Sequence, residues 1–118
     1  MLTVRDITDQ MGLGIAVEGA QHRPVSGCYI SDLLSDVMAH GRDGEIWITL
    51  QTHPNTVAVA VIKGISAILI PNGRRPDPET MRKAAAENVA IVTTPHTTFT
   101  IAGRLYNLFQ NDQHPAPG

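Results

Sequence analysis

The sequence predicts an α/β fold: a three-layer-like arrangement in which strand-helix repeats build a parallel sheet, with a small N-terminal helix and two extra strands. Two observations predict it. From residue 45 onward, short apolar runs alternate with helical patterns, and the connections are short, as in parallel strands joined by right-handed crossovers. In addition, the runs at 67–70 and 90–92 are continuously apolar, which is typical of strands covered on both faces.

The composition is that of one globular domain, with 118 residues of which 42% are apolar and 17% charged. We expect this domain to span residues 1–109. A formal net charge of −2 gives no broad basic surface, so no nucleic-acid partner is expected. Cys28 is the only cysteine, which excludes multi-cysteine metal sites and fits a reducing compartment. Without a signal-like start or a long apolar span, the chain is expected to be cytoplasmic, with no membrane partner.

The N-terminal third is predicted to hold a short helix and two strands. Thr3 can cap a helix that Gly12 ends, and Asp6 stands at the third helical position, as in a capping box. The alternating apolar positions at 13–17 and the run at 25–30 predict the strands.

A second helix and the first buried strand follow. Ser31 is predicted to be the N-cap of the helix, which Gly41 ends. Residues 45–50 form an apolar run rich in β-branched side chains and predict a strand. The valine-rich segment 55–63 predicts a buried helix, and a strand stays open as the alternative because valine lowers helix propensity.

The last part of the chain repeats the same order. A short strand at 67–70 precedes a helix that begins at Asp77 and Pro78, and a strand at 90–92 follows. In the first of these helices, Met81, Ala84 and Ala85 are expected to face the core. The final helix places Phe99, Ile101, Ala102, Leu105, Leu108 and Phe109 at helical spacings. Residues 110–118 are predicted to be a flexible tail.

Polar side chains cluster in the loops that follow three of the predicted strands. In an open parallel sheet, ligands bind beyond the carboxyl ends of the strands, where such loops gather. We therefore predict a ligand-binding rim formed by Thr52, His53, Asn55, Asn72, Gly73, Arg74, Thr94, His96 and Thr97. The alternative, that these residues are ordinary turns and helix caps, stays open because turns favour the same residue types.

The chemistry of the rim favours an anion. Arg74 and Arg75 can bind a phosphate or carboxylate through paired hydrogen bonds, although a solvated loop pair is the alternative. The sequence contains neither GxxxxGK[ST] nor a GxGxxG after a strand, so it gives no support to an ATPase, a kinase or a dinucleotide enzyme. His53 and His96 lack metal-ligand spacing, and Cys28 is expected to be a packed core residue. We expect no metal site and no catalytic residues, and the sequence does not identify a cofactor.

Four segments carry a family resemblance: SGCYISDLLSDVMA, WITLQTH, AILIPNGRRPDPE and TTPHTTFTIAGRL. From about Val4 to Leu108 the chain resembles the DRTGG domain, a module of larger bacterial proteins such as some phosphotransacetylases and CBS-domain pyrophosphatases, and also of free-standing small proteins. It is similar to the free-standing type associated with hydrogenase gene clusters and labelled as related to HPr kinase. The family's Asp-Arg motif and glycine pair are not kept here: Thr52 to Asn55 and Asn72-Gly73 stand in those loops.

The resemblance implies a regulatory, non-catalytic module that takes part in dimer contacts. Our leading hypothesis is a homodimer that binds a small phosphorylated metabolite or a nucleotide on the rim. Two alternatives stay open. One is a phosphoryl- or acyl-transfer enzyme that uses His53 or His96 as its base, and the other is an adaptor for a hydrogenase-type redox enzyme.

Overall fold

The structure is a computed structural model that describes residues 1–113. Helices and strands alternate through most of this range. In chain order the elements are α1 (Val4–Met11), β1 (Gly14–Val17), β2 (Gly27–Ile30), α2 (Leu34–His40), β3 (Glu45–Ile48), α3 (Asn55–Lys63), β4 (Ala67–Ile70), α4 (Pro78–Ala86), β5 (Ala90–Thr93) and α5 (Thr98–Gln113).

The strands form one five-stranded sheet in the order β1-β5-β4-β3-β2. β2 to β5 are parallel to one another, each beside its neighbour in sequence, and β1 joins the far edge antiparallel to β5. The mostly parallel α/β fold predicted from the sequence is therefore confirmed. The two extra strands occupy the two edges of the sheet.

Helices cover both faces of the sheet, and the side chains of each strand alternate between the two layers. Along β4, Ile68 and Ile70 pack with α2, α3 and α4, whereas Ala67 and Leu69 pack with α1 and α5. All four side chains are buried. This double burial is the physical reason for the unbroken apolar run in β4, because no side of the strand faces water.

Several local predictions are confirmed by hydrogen bonds and dihedral angles. Thr3 and Asp6 form a capping box: the Asp6 amide donates to Thr3 Oγ1 at 3.1 Å, and the Thr3 amide donates to Asp6 Oδ2 at 2.9 Å. Gly12 ends α1 in a left-handed conformation, with φ of 63°. Segment 55–63 is a helix, since it spans one crossover between parallel strands and buries Val57 against the sheet.

The predicted start of the second helix is wrong. α2 begins at Leu34, and Ser31 lies outside it, where its Oγ accepts a hydrogen bond from the Leu33 amide at 3.2 Å. The cause is Asp32, whose carboxylate binds the segment just after β3 instead of the helix end. It accepts hydrogen bonds from the Leu50 amide at 2.7 Å and from Thr49 Oγ1 at 3.0 Å. These bonds hold the chain beside β3 before the helix can start.

Three side-chain and boundary predictions also need correction. Ala85 is exposed, because the buried face of α4 is narrow and centres on Ala84. Phe99 is 89% exposed and does not join the buried face of α5. α5 continues through Gln113, so residues 110–113 are helical where a tail was predicted; the first helix-breaking residue after Gln110 is Pro115. Residues 114–118 of that tail lie outside the described residues.

Candidate functional site

Because β2 to β5 are parallel, their carboxyl ends lie at the same end of the sheet, and the loops after them meet there. The loops after β4 and β5 are joined by backbone hydrogen bonds: the Asn72 amide donates to the His96 carbonyl at 2.8 Å, and the Gly73 amide donates to the Thr94 carbonyl at 2.9 Å. The predicted residues of these two loops are therefore neighbours. The Asn72 and Gly73 amides, however, donate to carbonyl groups of the neighbouring loop and do not point outward to a ligand.

The loop after β3 is attached to the same end of the sheet. The Thr52 carbonyl accepts hydrogen bonds from the Asp77 amide at 3.1 Å and from Thr80 Oγ1 at 2.6 Å, which tie this loop to the start of α4. Thr52, Asn72 and Thr94 thus lie at one end of the molecule. We call the loops 51–54, 71–77 and 94–97 the rim.

The connections that follow β4 and β5 lead to opposite faces of the sheet. α4 follows β4 and packs on the face that holds Ile68, whereas α5 follows β5 and packs on the opposite face, which holds Leu69. The two loops therefore leave the sheet toward opposite sides. We call this place the switch point because ligands of open α/β sheets bind where neighbouring connections diverge to opposite faces, although the strand order does not reverse here.

Charge at the switch point is positive. Asn72 and Gly73 form the tight part of the loop with φ of 63° and 69°, and the exposed Arg74 and Arg75 follow directly. Within residues 1–113, neither arginine forms an ion pair. Unpaired guanidinium groups beside a loop of this kind are suited to oxyanions, which accept two parallel hydrogen bonds from one guanidinium.

The remaining predicted residues serve as helix caps or stay close to the core. His53 Nδ1 accepts a hydrogen bond from the Asn55 amide at 3.1 Å, so this imidazole caps the start of α3. Thr97 Oγ1 accepts one from the Thr100 amide at 3.2 Å and caps α5. Thr94 is buried and His96 is half-buried. No comparison or contact tests whether these side chains bind a ligand, and that assignment stays a prediction.

Sequence reasoning missed the polar network at the carboxyl end of β2. Besides the Asp32 bonds to the segment after β3, Tyr29 Oη donates to Asp36 Oδ2 at 2.8 Å. Hydrogen bonds from Ser31 and Tyr29 lower the pKa of Asp36, and the bond to Asp36 is the main reason why the pKa of Tyr29 is raised. The signal in the sequence was the pair of acidic residues, Asp32 and Asp36, that follows the strand β2. These groups tie β2 to its surroundings.

Two observations bear on reactive chemistry. Burial, with a smaller contribution from Glu45, raises the pKa of Cys28 to about 12, so its thiol stays protonated near neutral pH. In the part of the chain that the structure describes, no three His, Cys, Asp or Glu side chains are grouped closely enough to hold a metal ion. Across the same residues, no helix is both long and apolar enough to cross a membrane.

Two grooves lie on the surface, and one of them touches the rim at Pro54. One of about 440 Å³ runs between α3 and α4 and includes Asn55, Val61 and Lys83 in its walls. The other, of about 870 Å³, runs between β2 and α5. Of the nine predicted ligand-binding residues, only Asn55 lines either of these two grooves.

The fold and the rim define a three-layer α/β domain with a mostly parallel sheet whose polar loops gather at one end. The chain belongs to the DRTGG domain family, whose model matches residues 9–108. A search of curated proteins found no match.

Among solved structures, the chain is similar to the CBS and DRTGG domains of the regulatory region of Clostridium perfringens pyrophosphatase, in complex with the activator diadenosine tetraphosphate. The TM-score is 0.66 at 21% sequence identity. The match covers 84% of this chain but only 43% of the other, and it shows the fold.

Proposed function

We propose that this chain is a non-catalytic regulatory module, a homodimer in solution, that binds a small phosphorylated metabolite or a nucleotide at the rim. The observation that carries the proposal is the switch point between β4 and β5. There the loops diverge to opposite faces of the sheet, and the loop after β4 presents Arg74 and Arg75 without an acidic partner among residues 1–113.

The charge balance at the switch point supports an anionic ligand. Glu79, near the start of α4, is engaged by Arg82 one turn later, and this pairing lowers the pKa of the Glu79 carboxyl. Its negative charge is therefore countered within α4. Asp77, the acidic residue closest in sequence to the arginines, forms no ion pair with either of them within residues 1–113, and residues 74–77 keep a net positive charge. The rim thus offers two unpaired guanidinium groups, and a phosphate group matches them in charge and in hydrogen-bond geometry.

The side chains with catalytic potential support a non-enzymatic role. The Nδ1 atom of His53 accepts the Asn55 amide, so using it as a general base would break the cap of α3. The Cys28 thiol has a raised pKa. It lies on β2, at the edge of the sheet opposite to β1, and β3 separates β2 from the switch point between β4 and β5. The two hydroxyl–carboxylate hydrogen bonds described above, Tyr29 with Asp36 and Thr49 with Asp32, join β2 to α2 and to the segment after β3, which supports a structural role for these groups.

The class of ligand to test first follows from the relative in the solved structure. That regulatory region was captured with diadenosine tetraphosphate, a nucleotide that carries several phosphates. A chain of the same fold with unpaired arginines at its rim is therefore best tested with compounds that differ in phosphate number and in the presence of a nucleoside.

The experiment is a binding series with inorganic phosphate, AMP, ATP and diadenosine tetraphosphate, followed by calorimetry and thermal unfolding. A ligand at one hundred times its dissociation constant should add about 2.7 kcal/mol to the free energy of unfolding. The double variant Arg74→Ala, Arg75→Ala should bind at least roughly tenfold more weakly, since each charge-assisted hydrogen bond contributes about 1.5–3 kcal/mol. Arg42→Ala is the matched control, because Arg42 is exposed in the turn before β3, at the opposite end of the sheet.

The outcomes separate the alternatives. Binding that is lost in the double variant and kept in Arg42→Ala supports the rim as the site. Equal loss in both variants would mean that the arginines act only through overall charge, which contradicts a built site. No binding of any of the four compounds by the native chain would overturn the ligand part of the proposal. Turnover of any of them would contradict its non-catalytic part.

A further inference from the structure

α5 carries two apolar stripes, and only one of them is used within the domain. The first contains Ile101 and Leu105, which are fully buried against the sheet. The second lies beside it and consists of Phe99, Ala102, Tyr106 and Phe109, at spacings of three, four and three. We call these four residues the outer stripe. Phe99 is 89% and Tyr106 is 65% exposed, whereas Ala102 and Phe109 border the core.

The outer stripe forms one wall of the larger groove. The opposite wall is the edge strand β2, which contributes Gly27, Cys28 and the 49% exposed Ile30, and the space between them is about 870 Å³. Exposed aromatic side chains beside an unpaired sheet edge are unusual on a monomer surface, since both features favour association. The groove is thus a mainly apolar surface, with polar side chains such as Thr100 and Asn107 in its walls, and nothing among residues 1–113 covers it.

The charge of this surface argues for a protein partner. Among the residues that the structure describes, Arg104 is the one charged residue in the walls of the groove, whereas nucleic acid would need a basic patch. An interfacial membrane helix would need several lysines or arginines on its polar face, and residues 98–111 contain only Arg104. One positive charge per copy also leaves little repulsion between two such surfaces.

The outer stripe is complementary to itself when run in the opposite direction. With a twofold axis between Ala102 and Gly103, Phe99 of one copy lies opposite the partner's Tyr106, and the reverse pair repeats it. The small Ala102 and Gly103 then meet at the centre, where they let two helix backbones approach closely. A Cβ atom added at Gly103 would meet no atom within 4 Å in a single copy, so space is available there.

We propose that two copies of this chain associate through α5, which packs antiparallel against the partner's α5 along the outer stripe. This inference rests on the homodimer named in the proposed function and assigns its surface. The exposed parts of Phe99 and Tyr106 supply roughly 300 Å² per copy, on the basis of 150–250 Å² for each aromatic side chain. A standard interface buries about 800 Å² per partner, so this surface fits a small interface whose dimer dissociates on dilution.

Gly103→Glu gives a sharp test because it separates association from folding. The single chain has open space at this position, and replacing glycine inside a helix by a residue of higher helix propensity removes an unfavourable backbone entropy term. The variant should therefore unfold at the same or a higher temperature than the native chain. In the dimer, two carboxylates would face each other at the axis without partners, and the dissociation constant should rise at least a hundredfold.

The measurement is sedimentation equilibrium or light scattering over a range of concentrations, with two controls. Gly103→Ala keeps a small residue at the axis and should remain dimeric. Ile62→Glu places the same charge on an exposed apolar residue of α3, on the other face of the sheet, and should also remain dimeric. Phe99→Glu, at an exposed position, is a second disrupting variant if Gly103→Glu is poorly folded.

Each outcome has one meaning. A dimeric native chain that becomes monomeric in Gly103→Glu and Phe99→Glu, with both controls still dimeric, is the expected result. A native chain that is monomeric throughout would overturn the inference together with the homodimer of the proposed function, while leaving ligand binding at the rim intact. A native dimer that persists in both disrupting variants would overturn only the surface assigned here.

Discussion

β4 and β2 are strands of equal length in the same sheet, yet they face different surroundings. Both contain four residues and run in the same direction. β4 lies between two strands and two helix layers and buries every side chain, whereas β2 is an edge strand whose side chains are partly exposed. The comparison shows that the strands of one sheet have different roles. The interior strand β4 stabilises the fold, whereas the edge strand β2 leaves apolar surface available for association.

The largest effect should come from truncating β4. Leu69 is fully buried, so Leu69→Ala should lower the free energy of unfolding by about 3 kcal/mol, through lost burial and a cavity that cannot collapse. Ile30→Ala, at the 49% exposed position in β2, should cost less than about 1 kcal/mol. Urea unfolding checks both, measured on the monomeric Gly103→Glu background so that dimer dissociation does not contribute. Equal losses would contradict the division between the two strands.

A smaller effect should come from the carboxylate that joins β2 to β3. Asp32→Ala removes the acceptor of the Leu50 amide and of Thr49 Oγ1, so it should lower the free energy of unfolding by about 1.5 kcal/mol. Asp9→Ala is the control, since Asp9 is exposed in the last turn of α1, where an acidic side chain opposes the helix dipole. Urea unfolding of the two variants should give a loss for the first and no loss for the second.

The smallest effect concerns the buried part of β2 and depends on pH. The pKa of the Cys28 thiol is raised from 9.0 to about 12 in the folded chain, so above pH 9 only the unfolded chain loses this proton. Its contribution to stability is therefore fully present below pH 9 and is lost as the pH rises toward 12. Between pH 8 and pH 10 the native chain should lose roughly 1 kcal/mol more than Cys28→Ala does.

Urea unfolding at the two pH values measures this difference. Cys28→Ala lacks only the thiol, so the titration of all other groups cancels when the two proteins are compared. An identical pH dependence in both proteins would mean that the thiol is not shielded from water. In that case β2 would be an exposed edge along its whole length.

The interior of the fold could be predicted from the sequence because its causes are local and strong. The apolar runs of β4 and β5, the Asp77-Pro78 helix start and the Thr3 capping box each act within a few residues, and all are found in the structure. The segment 55–63 was ambiguous by propensity, since valine favours strands. The short connections to β3 and β4 decide for a helix, because parallel neighbours need a crossover.

The errors arose where a residue acts on a distant part of the chain. Ser31 was expected to start a helix, but the next residue, Asp32, has its hydrogen-bond partners 17 and 18 residues away, just after β3. Phe99 fits the helical period of α5, yet periodicity does not distinguish the stripe that packs on the sheet from the stripe beside it. The location of the rim followed from topology, whereas the pairing of the Asn72 and Gly73 amides depends on loop conformation, which no spacing rule contains.

The first strand of the chain pairs with the last one. β1 binds β5, so residues 14–17 have no sheet partner until residues 90–93 have left the ribosome. During synthesis, β2 to β5 can assemble in order, each beside its predecessor, and the N-terminal arm can close the β5 edge only afterwards. A chain from which the N-terminal arm has been cleaved would leave β5 as an unpaired edge strand, at which chains can aggregate. Pairing of β1 with β5 is thus the step that completes the sheet and covers the backbone groups of β5.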